Sequence, residues 1–212
     1  MQTSRNGRVL AALLLVLLTS CSRTSDNPYV DVKDPPLLQA RLHTVTLVTD
    51  GPGVAESLQV KGYAPVQFPS NYPISNEVES SLWSVPLSTV EGVAHFRSPR
   101  ATDPGVRVLK MALAAKTSKA NAGVVKAFFR NVLGSDVPQW PPGIEPADKV
   151  RVQVWTFLIP DVLVANKRLR ENGIPVVFDP VAITTAYLGD HKVMAIRAPD
   201  GAIVELVQTA AQ

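Results

Sequence analysis

Alternation of apolar and polar positions predicts the same plan twice along the chain. The segments 41–50 and 150–161 are rich in β-branched residues, which is typical of strands. Each is followed by residues at helical spacing that stop at a glycine, Gly62 in the first copy and Gly173 in the second, and then by another short strand. The pattern therefore indicates one structural unit that occurs twice.

The internal spacings of the two copies agree. Twelve residues separate Asp50 from Gly62, and twelve separate Asp161 from Gly173. A leucine stands four residues before each glycine, where a helix would turn it back onto the sheet: Leu58 and Leu169. Further strands are predicted at 92–98, 106–113, 192–197 and 202–208. Each copy is thus strand, helix and about three strands, which predicts an α+β domain of two βαβββ units forming one mixed-sheet cup.

The residues between the two copies have a different pattern. Val125, Phe128 or Phe129, and Val132 fall at helical spacing between Ser118, a candidate N-cap, and Gly134. A proline-rich connector follows at 136–147. We therefore expect unit one at 41–115, a linking helix and connector at 116–149, and unit two at 150–208.

A second partition is open at this stage. Residues 127–134 could be the first helix of a unit that starts near Val106 and takes in 106–149, which would leave 41–100 as an N-terminal extension. This choice leaves too few residues before Val150 to complete a sheet, so we prefer the first partition.

The first 20 residues have the layout of a bacterial secretion signal. Arg5 and Arg8 precede an unbroken apolar run that ends at Leu18. This run is about half of the ~20 apolar residues that a membrane-spanning helix needs. We expect residues 1–20 to be removed, and 21–40, which are polar and rich in proline, to be a tether.

Residues Leu18 to Cys21 resemble the lipobox of bacterial lipoproteins, in which the cysteine is lipidated and becomes the first residue. Cys21 is the only cysteine, so a disulfide framework is excluded. The alternative is an ordinary signal peptide with an incidental cysteine. The resemblance implies a membrane anchor in the cell envelope, and Ser22, in place of aspartate, implies the outer membrane facing the periplasm.

Processing changes the charge of the chain. Of 21 Lys and Arg residues, two lie within residues 1–20, which leaves 19 against 18 acidic residues. A nearly neutral chain gives no reason to expect nucleic acid as a partner.

The closing strand carries an acid among apolar residues. Asp200-Gly201 is a turn dipeptide, and the alternation after it puts Ile203, Glu205 and Val207 on one face. Glu205 either lies in water on an edge strand or faces the interior with a function.

Two stretches resemble the vicinal oxygen chelate superfamily, which includes glyoxalase I, extradiol dioxygenases and bleomycin-resistance proteins. Residues 41–50 resemble the metal-ligand first strand of glyoxalase I. Residues 198–206 resemble the closing Asp-Pro-Asp-Gly-Asn-x-x-Glu-Leu signature. The resemblance covers roughly 41–208 and implies metal ligands on the first and last strand of each unit, so His43 and Glu205 are the candidates.

The other two ligand positions depart from the family pattern. Counting along the chain places Val154 opposite His43, and Leu109, or Lys110 with a slip of one residue, opposite Glu205. None of these three binds a cation, whereas a catalytic metal usually has at least three protein ligands. His95 or His191 is a candidate third ligand for iron, nickel, manganese or zinc. The alternatives are a hydrogen-bonded sheet residue for His95 and a solvated turn residue for His191.

Alternation also predicts the lining of the cup. The residues expected to share the faces of His43 and Glu205 are Val45, Leu47, Val154, Thr156, Leu158, Ile203 and Val207. A mainly apolar lining with a few polar points is typical of a small-molecule pocket, although the same side chains could meet and fill the cup as core.

Two functions follow from the sequence. The first is an envelope-anchored module that binds a small, largely apolar molecule, or a partner protein, without an intact catalytic metal site. The second, which the resemblance implies, is a metal-dependent lyase or dioxygenase with one divalent metal. Family members often pair across subunits, so a homodimer is also an expectation, although two units in one chain suffice to close a cup.

Overall fold

The computed structural model describes residues 29, 35–68, 76–113, 120–142, 144 and 150–209. The predicted signal and Cys21 lie outside these residues. The elements of the first half are β1 Arg41–Thr49, α1 Val54–Val60, β2 Ala64–Val66, α2 Asn76–Trp83, α3 Leu87–Glu91, β3 Ala94–Arg97 and β4 Gly105–Lys110. The following elements are α4 Ala122–Ala127, a π-helix Phe128–Leu133, β5 Val150–Leu158, α5 Val162–Glu171, β6 Val176–Thr185, β7 Gly189–Arg197 and β8 Ile203–Thr209.

The strands form one mixed sheet in the order β2-β3-β4-β1-β5-β8-β7-β6. β1 pairs in parallel with β4, β5 pairs in parallel with β8, and β1 and β5 join the two halves as an antiparallel pair. The predicted α+β class with two βαβββ units is confirmed.

The second copy of the unit shows why the sequence folds in this way. The Asp161 carboxylate accepts hydrogen bonds from the backbone N–H groups of Leu163 and Val164 and so caps α5. Gly173 has a φ of 72°, which suits glycine, and ends the helix. Leu169 and its counterpart Leu58 are fully buried, as the helical spacing predicts.

The predicted linking helix is shorter than expected and changes its pitch. It begins at Ala122, after an N-cap made by Asn121, whose side chain accepts a hydrogen bond from the backbone N–H of Gly123. Ser118, the predicted cap, lies outside the described residues. The π-helical pitch from Phe128 lets both Phe128 and Phe129 enter the core, where simple helical spacing allowed one or the other.

Part of the predicted tether is packed against this helix, so the tether prediction is wrong for residue 29 and for 35–40. Leu38 is buried, and its backbone N–H donates to the carbonyl of Val132 at 2.9 Å. Tyr29 meets the edge of the Phe128 ring at 5.0 Å. These residues cover the π-helix and belong to the domain.

Val45 and Leu47 were expected to line the cup, and this expectation is wrong. Both lie in the hydrophobic cluster on the opposite face of the sheet, with α1, α5 and the π-helix. The cause is a β-bulge at His43: Leu42 pairs with Phe157 and Thr44 with Thr156, so His43 is an extra residue. A bulge reverses the alternation after it.

The helices α2 and α3 pack into the cup on the other face. Leu82 and Trp83 of this insertion pack with Val154, Ile203 and Val207, which are all nearly inaccessible to solvent. Leu158 packs at the edge of the same cluster. The apolar part of the predicted lining is therefore core, which was the alternative to a pocket. No helix in the described ranges is long and apolar enough to cross a membrane.

Candidate functional site

A buried ion pair joins the two halves of the chain. Nη2 of Arg107 on β4 lies 2.9 Å from Oε2 of Glu205 on β8, and both side chains are at most 3% exposed. The first strands of the two units lie between β4 and β8 in the sheet. The pair therefore crosses the axis that relates one half to the other.

Strand register shows that Arg107 and Glu205 are equivalent positions. In the antiparallel β1–β5 pair, Thr44 faces Thr156 and Thr46 faces Val154. The rotation that exchanges the two halves of the chain therefore moves Thr46 to the position of Thr156. Thr46 is the β1 partner of Arg107, and Thr156 is the β5 partner of Glu205. The residue of unit one that corresponds to Glu205 is therefore an arginine.

This assignment corrects the expectation that Leu109 or Lys110 matches Glu205. Leu109 lies deeper in the cup-side core. Lys110 lies at the end of β4, where it lines a separate cleft of about 450 Å³ with Thr49 and Asp50. Counting from the turn missed Arg107 by two residues because the turns before β4 and β8 differ in length.

The match for His43 also changes. The register between β5 and β1 shifts between Val152 and Val154, so Gln153 is an extra residue just as His43 is in β1. Gln153 donates a hydrogen bond to the backbone carbonyl of Trp83 at 2.9 Å. The four positions that the resemblance assigns to metal ligands are therefore His43, Arg107, Gln153 and Glu205.

The Glu205 carboxylate has three hydrogen-bond donors. Arg107 donates to Oε2, Thr156 donates its hydroxyl to the same oxygen, and Trp83 Nε1 donates to Oε1 at 3.2 Å. Arg107 also donates to the Thr156 hydroxyl. Burial alone raises the pKa of Glu205, but Arg107 and these hydrogen bonds outweigh it and hold the pKa below its ordinary value. Glu205 is therefore an anion with its oxygens already occupied.

Arg107 is shared by a second carboxylate. Nη1 of Arg107 lies 3.5 Å from Oε1 of Glu79 on α2, and its guanidinium carbon lies 4.5 Å from the centre of the Trp83 ring. Burial raises the pKa of Glu79 to about 7, Glu205 adds to this effect, and Arg107 opposes it. Of the two carboxylates that share this guanidinium, Glu79 therefore has a pKa above the ordinary value and Glu205 has a pKa below it.

Four half-buried aromatic rings, His43, Phe68, His95 and Tyr187, lie beside the ion pair on the cup face. Tyr187, in the β6–β7 connection, stacks on His95 at 5.4 Å and meets the edge of His43 at 5.3 Å. Phe68 meets the edge of His95 at 5.0 Å. Since β6 and β3 are near opposite ends of the sheet, these contacts show that the sheet curves round and its edges meet over the cup.

Both site histidines are neutral at pH 7. Burial and the nearby Arg107 charge lower the pKa of His43 to about 4, where Arg41 adds to the effect and Glu205 opposes it. Burial and Arg107 lower the pKa of His95 to about 3. His43 also shares a 2.7 Å hydrogen bond between its Nδ1 and the Thr44 hydroxyl.

His191 lies outside this cluster. It is on β7, four residues from Ala195, which is the strand partner of Glu205, and this separation is about 13 Å along a strand. Its Nδ1 lies 2.8 Å from the carbonyl oxygen of Gly189, and the side chain is buried rather than solvated. His191 therefore does not converge with His43 and Glu205.

The residues present do not fit a divalent metal. No group of three or more His, Cys, Asp or Glu side chains converges within the described ranges. The reason is chemical: Arg107 places a cation where the resemblance would place a ligand, and Glu205 is already bonded to it. Unlike an imidazole or carboxylate, a guanidinium has only donors and cannot bind a metal.

Several site residues were missed by the sequence analysis: Arg107, Glu79, Gln153 and Tyr187. Arg107 had a usable signal, because it is a charged residue in the apolar strand Val106 to Leu109, which is the same feature that drew attention to Glu205. The others depend on the path of α2 and on bulges, which alternation does not reveal.

Comparison with known proteins bears on the fold. No family model and no curated protein matches the sequence. Among solved structures, methylmalonyl-CoA epimerase from Mycobacterium tuberculosis is 15% identical, with a TM-score of 0.46 over 85% of this chain and 95% of that one. The Mn(II)-bound glyoxalase from Novosphingobium aromaticivorans is 14% identical, with a TM-score of 0.42 over 80% of this chain and 40% of that one. A glyoxalase/bleomycin resistance protein/dioxygenase superfamily member from Vibrio splendidus 12B01 is 11% identical, with a TM-score of 0.39 over 80% and 98%.

The two βαβββ halves joined through β1 and β5 define a vicinal oxygen chelate fold, as the sequence resemblance implied. At these identities and TM-scores, nothing about substrate or metal follows for this chain.

Removing either partner of the buried pair should destabilise the protein strongly. Arg107→Met and Glu205→Leu should each lower the free energy of unfolding by about 3–5 kcal/mol, because each leaves a buried charge without its partner. The double variant should recover much of this loss, because neither charge of the pair remains, although Glu79 still lacks Arg107. Urea denaturation measures all three.

The exposed pair Arg170–Asp179 provides the control, because both of its side chains are more than half exposed. Arg170→Met should change stability by about 0–1 kcal/mol. Losses of that size for Arg107→Met and Glu205→Leu, or no recovery in the double variant, would contradict the described role of the pair.

Glu79 should make stability fall as pH rises from about 4.5 to 7. In that window the folded protein holds the Glu79 proton, and the unfolded chain has released it. Relative to Glu79→Gln, wild type should lose up to about 3 kcal/mol across the window.

Between about pH 4 and 6.5, the lowered pKa values of His43 and His95 make stability rise with pH. Wild type and Glu79→Gln share this effect, so it cancels in the difference between their free energies of unfolding. Glu77→Gln, at an exposed position of the same helix, should keep the wild-type profile. If the difference in the free energy of unfolding between wild type and Glu79→Gln does not vary with pH, the raised pKa of Glu79 is contradicted.

Proposed function

We propose that this chain is a small-molecule-binding protein of the vicinal oxygen chelate fold that works without a metal. The 2.9 Å pair between Arg107 and Glu205 carries the proposal, because it supplies the positive charge from the chain itself. Both halves of the site come from one chain, so the proposed site does not require a second copy.

The proposed ligand binds beside the aromatic quartet His43, Phe68, His95 and Tyr187. The deeper part of the cup is filled by Leu82 and Trp83, so a ligand is confined to the level of these rings. Aromatic side chains offer large apolar faces with few rotatable bonds. Their presence beside neutral histidines supports a small, largely apolar ligand.

The charges around the site support an uncharged ligand. Arg107 already faces Glu205 and Glu79, so an anion would meet two carboxylates for one guanidinium. A cation would lie beside Arg107, whose charge adds to the effect of burial in lowering the pKa of both His43 and His95. Burying an unpaired charge of either sign is costly.

Metal loading and ligand binding test this proposal together. Purified protein incubated with Mn²⁺, Fe²⁺, Ni²⁺ or Zn²⁺ and then desalted should retain no stoichiometric metal at the site. The same metal-free protein should bind α-methylstyrene, an uncharged apolar probe, and Tyr187→Ala should weaken this binding about tenfold through loss of ring contacts. Leu163→Ala, an exposed change on α5, should leave the affinity unchanged.

The contrary result is about one metal ion per chain that is lost in both His43→Ala and Glu205→Ala. That outcome would replace the proposal with the metal-dependent lyase or dioxygenase that the family resemblance implies. Failure of the metal-free protein to bind the apolar probe would also overturn it.

The proposal includes attachment to the cell envelope through a lipid on Cys21. The support comes from the sequence: two arginines, an apolar run and the segment Leu18 to Cys21. Because Tyr29 packs on the domain, any tether between Cys21 and the folded part includes few residues.

Cys21→Ser should release the protein from the membrane fraction and abolish labelling by radioactive palmitate in a bacterial host. Cys21→Ser leaves the described domain unchanged, so binding of α-methylstyrene should be retained. Membrane association and labelling that persist in Cys21→Ser would refute the anchor.

A further inference from the structure

Three buried polar atoms near the ion pair have no hydrogen-bond partner in the described part of the chain. They are Oγ1 of Thr46, Nδ1 of His95 and Nε of Arg107. Buried polar atoms in proteins nearly always have a partner, and leaving one unpaired is unfavourable by roughly 1–3 kcal/mol. Three together indicate a place where a polar atom from outside the chain is bound.

Strand register brings the three residues side by side. Thr46 on β1 and His95 on β3 are the direct strand partners of Arg107, one on each side. Their sequence neighbours Val45, Phe96 and Val108 face the helix-side core, so all three polar side chains point to the cup. Neighbouring strands are about 4.8 Å apart, which lets one small group reach all three.

The donor and acceptor properties of these atoms define the missing partner. Nε of Arg107 carries a hydrogen and can only donate. The Thr46 hydroxyl and Nδ1 of a neutral His95 can each donate as well. An oxygen with two lone pairs, as in a carbonyl group, accepts from such a set.

The surroundings define the rest of the ligand. The His95 ring contacts Tyr187 by stacking and Phe68 by an edge, so the three polar atoms lie next to a group of aromatic rings. An anionic oxygen would meet Glu205 and Glu79, which already share the guanidinium. The oxygen is therefore uncharged and attached to a flat apolar group.

We propose that Thr46, His95 and Nε of Arg107 bind the carbonyl oxygen of an uncharged aromatic carbonyl compound, such as an aryl ketone, aldehyde or ester, whose ring lies against His95, Phe68 and Tyr187. This inference rests on the proposed function and specifies its ligand class. It involves no covalent step.

Two nearly isosteric probes test it by calorimetric titration. Acetophenone has the carbonyl oxygen, and α-methylstyrene has a methylene group in its place. Wild type should bind acetophenone at least about tenfold more tightly, since a hydrogen bond from a charged donor is involved. Thr46→Val and His95→Phe should each reduce this preference, and the two changes together should abolish it while binding of α-methylstyrene remains.

Thr49→Val is the matched control on the same strand. The Thr49 hydroxyl is hydrogen-bonded to the backbone N–H and C=O of Gly51, so this variant should lose stability and keep the carbonyl preference. Thr46→Val removes a hydroxyl that has no partner among the described residues, so it should unfold at the same temperature as wild type or higher while losing the preference.

Equal affinity of wild type for the two probes would overturn this inference and leave the proposed function standing, since water alone would then occupy the oxygen site. Tighter binding of benzoate than of acetophenone would also overturn it, by showing that the site takes an anion. Binding of neither probe would overturn this inference and the proposed function together.

Discussion

The buried ion pair between Arg107 and Glu205 is the constraint on which the rest of the site depends. Two charges at most 3% exposed are stable only when each is matched in charge and hydrogen bonding. The chain meets this need with Thr156 from β5 and Trp83 from α2, so four elements are fixed around one pair of side chains. The position of α2 in the cup and the pairing of the two halves are therefore coupled to the same electrostatic requirement.

The pair also determines the charge at this position of the fold. Equivalent positions of the two halves hold an arginine and a glutamate, so the charge that the resemblance would assign to a metal is part of the chain. Burial, reinforced by the guanidinium charge, keeps the neighbouring histidines neutral, and burial raises the pKa of Glu79 to about 7 against the opposing effect of the same guanidinium. Beside the pair lie aromatic rings and a small group of buried polar atoms that have no hydrogen-bond partner among the described residues.

The repeated plan of strand, helix and three strands could be predicted because it depends on local signals. Asp161, Gly173 and the leucine four residues before it mark a helix in any context. The faces of β1 could not be predicted past residue 43, because one bulge reverses the alternation and moves Val45 and Leu47 to the other core. Arg107 was not predicted because a count from the turn assumes that the two turns have equal lengths. The packing of α2 into the cup could not be predicted either, because it is a tertiary contact that leaves no periodic pattern in the strands that α2 covers.

A crystal structure of the protein grown or soaked with Mn²⁺, with anomalous diffraction data, tests the central claim most directly. We expect the Arg107 guanidinium to be in hydrogen-bond contact with the Glu205 carboxylate and no anomalous peak to lie between His43 and Glu205. A manganese peak bonded to both of these side chains, with Arg107 turned away from Glu205, would contradict it.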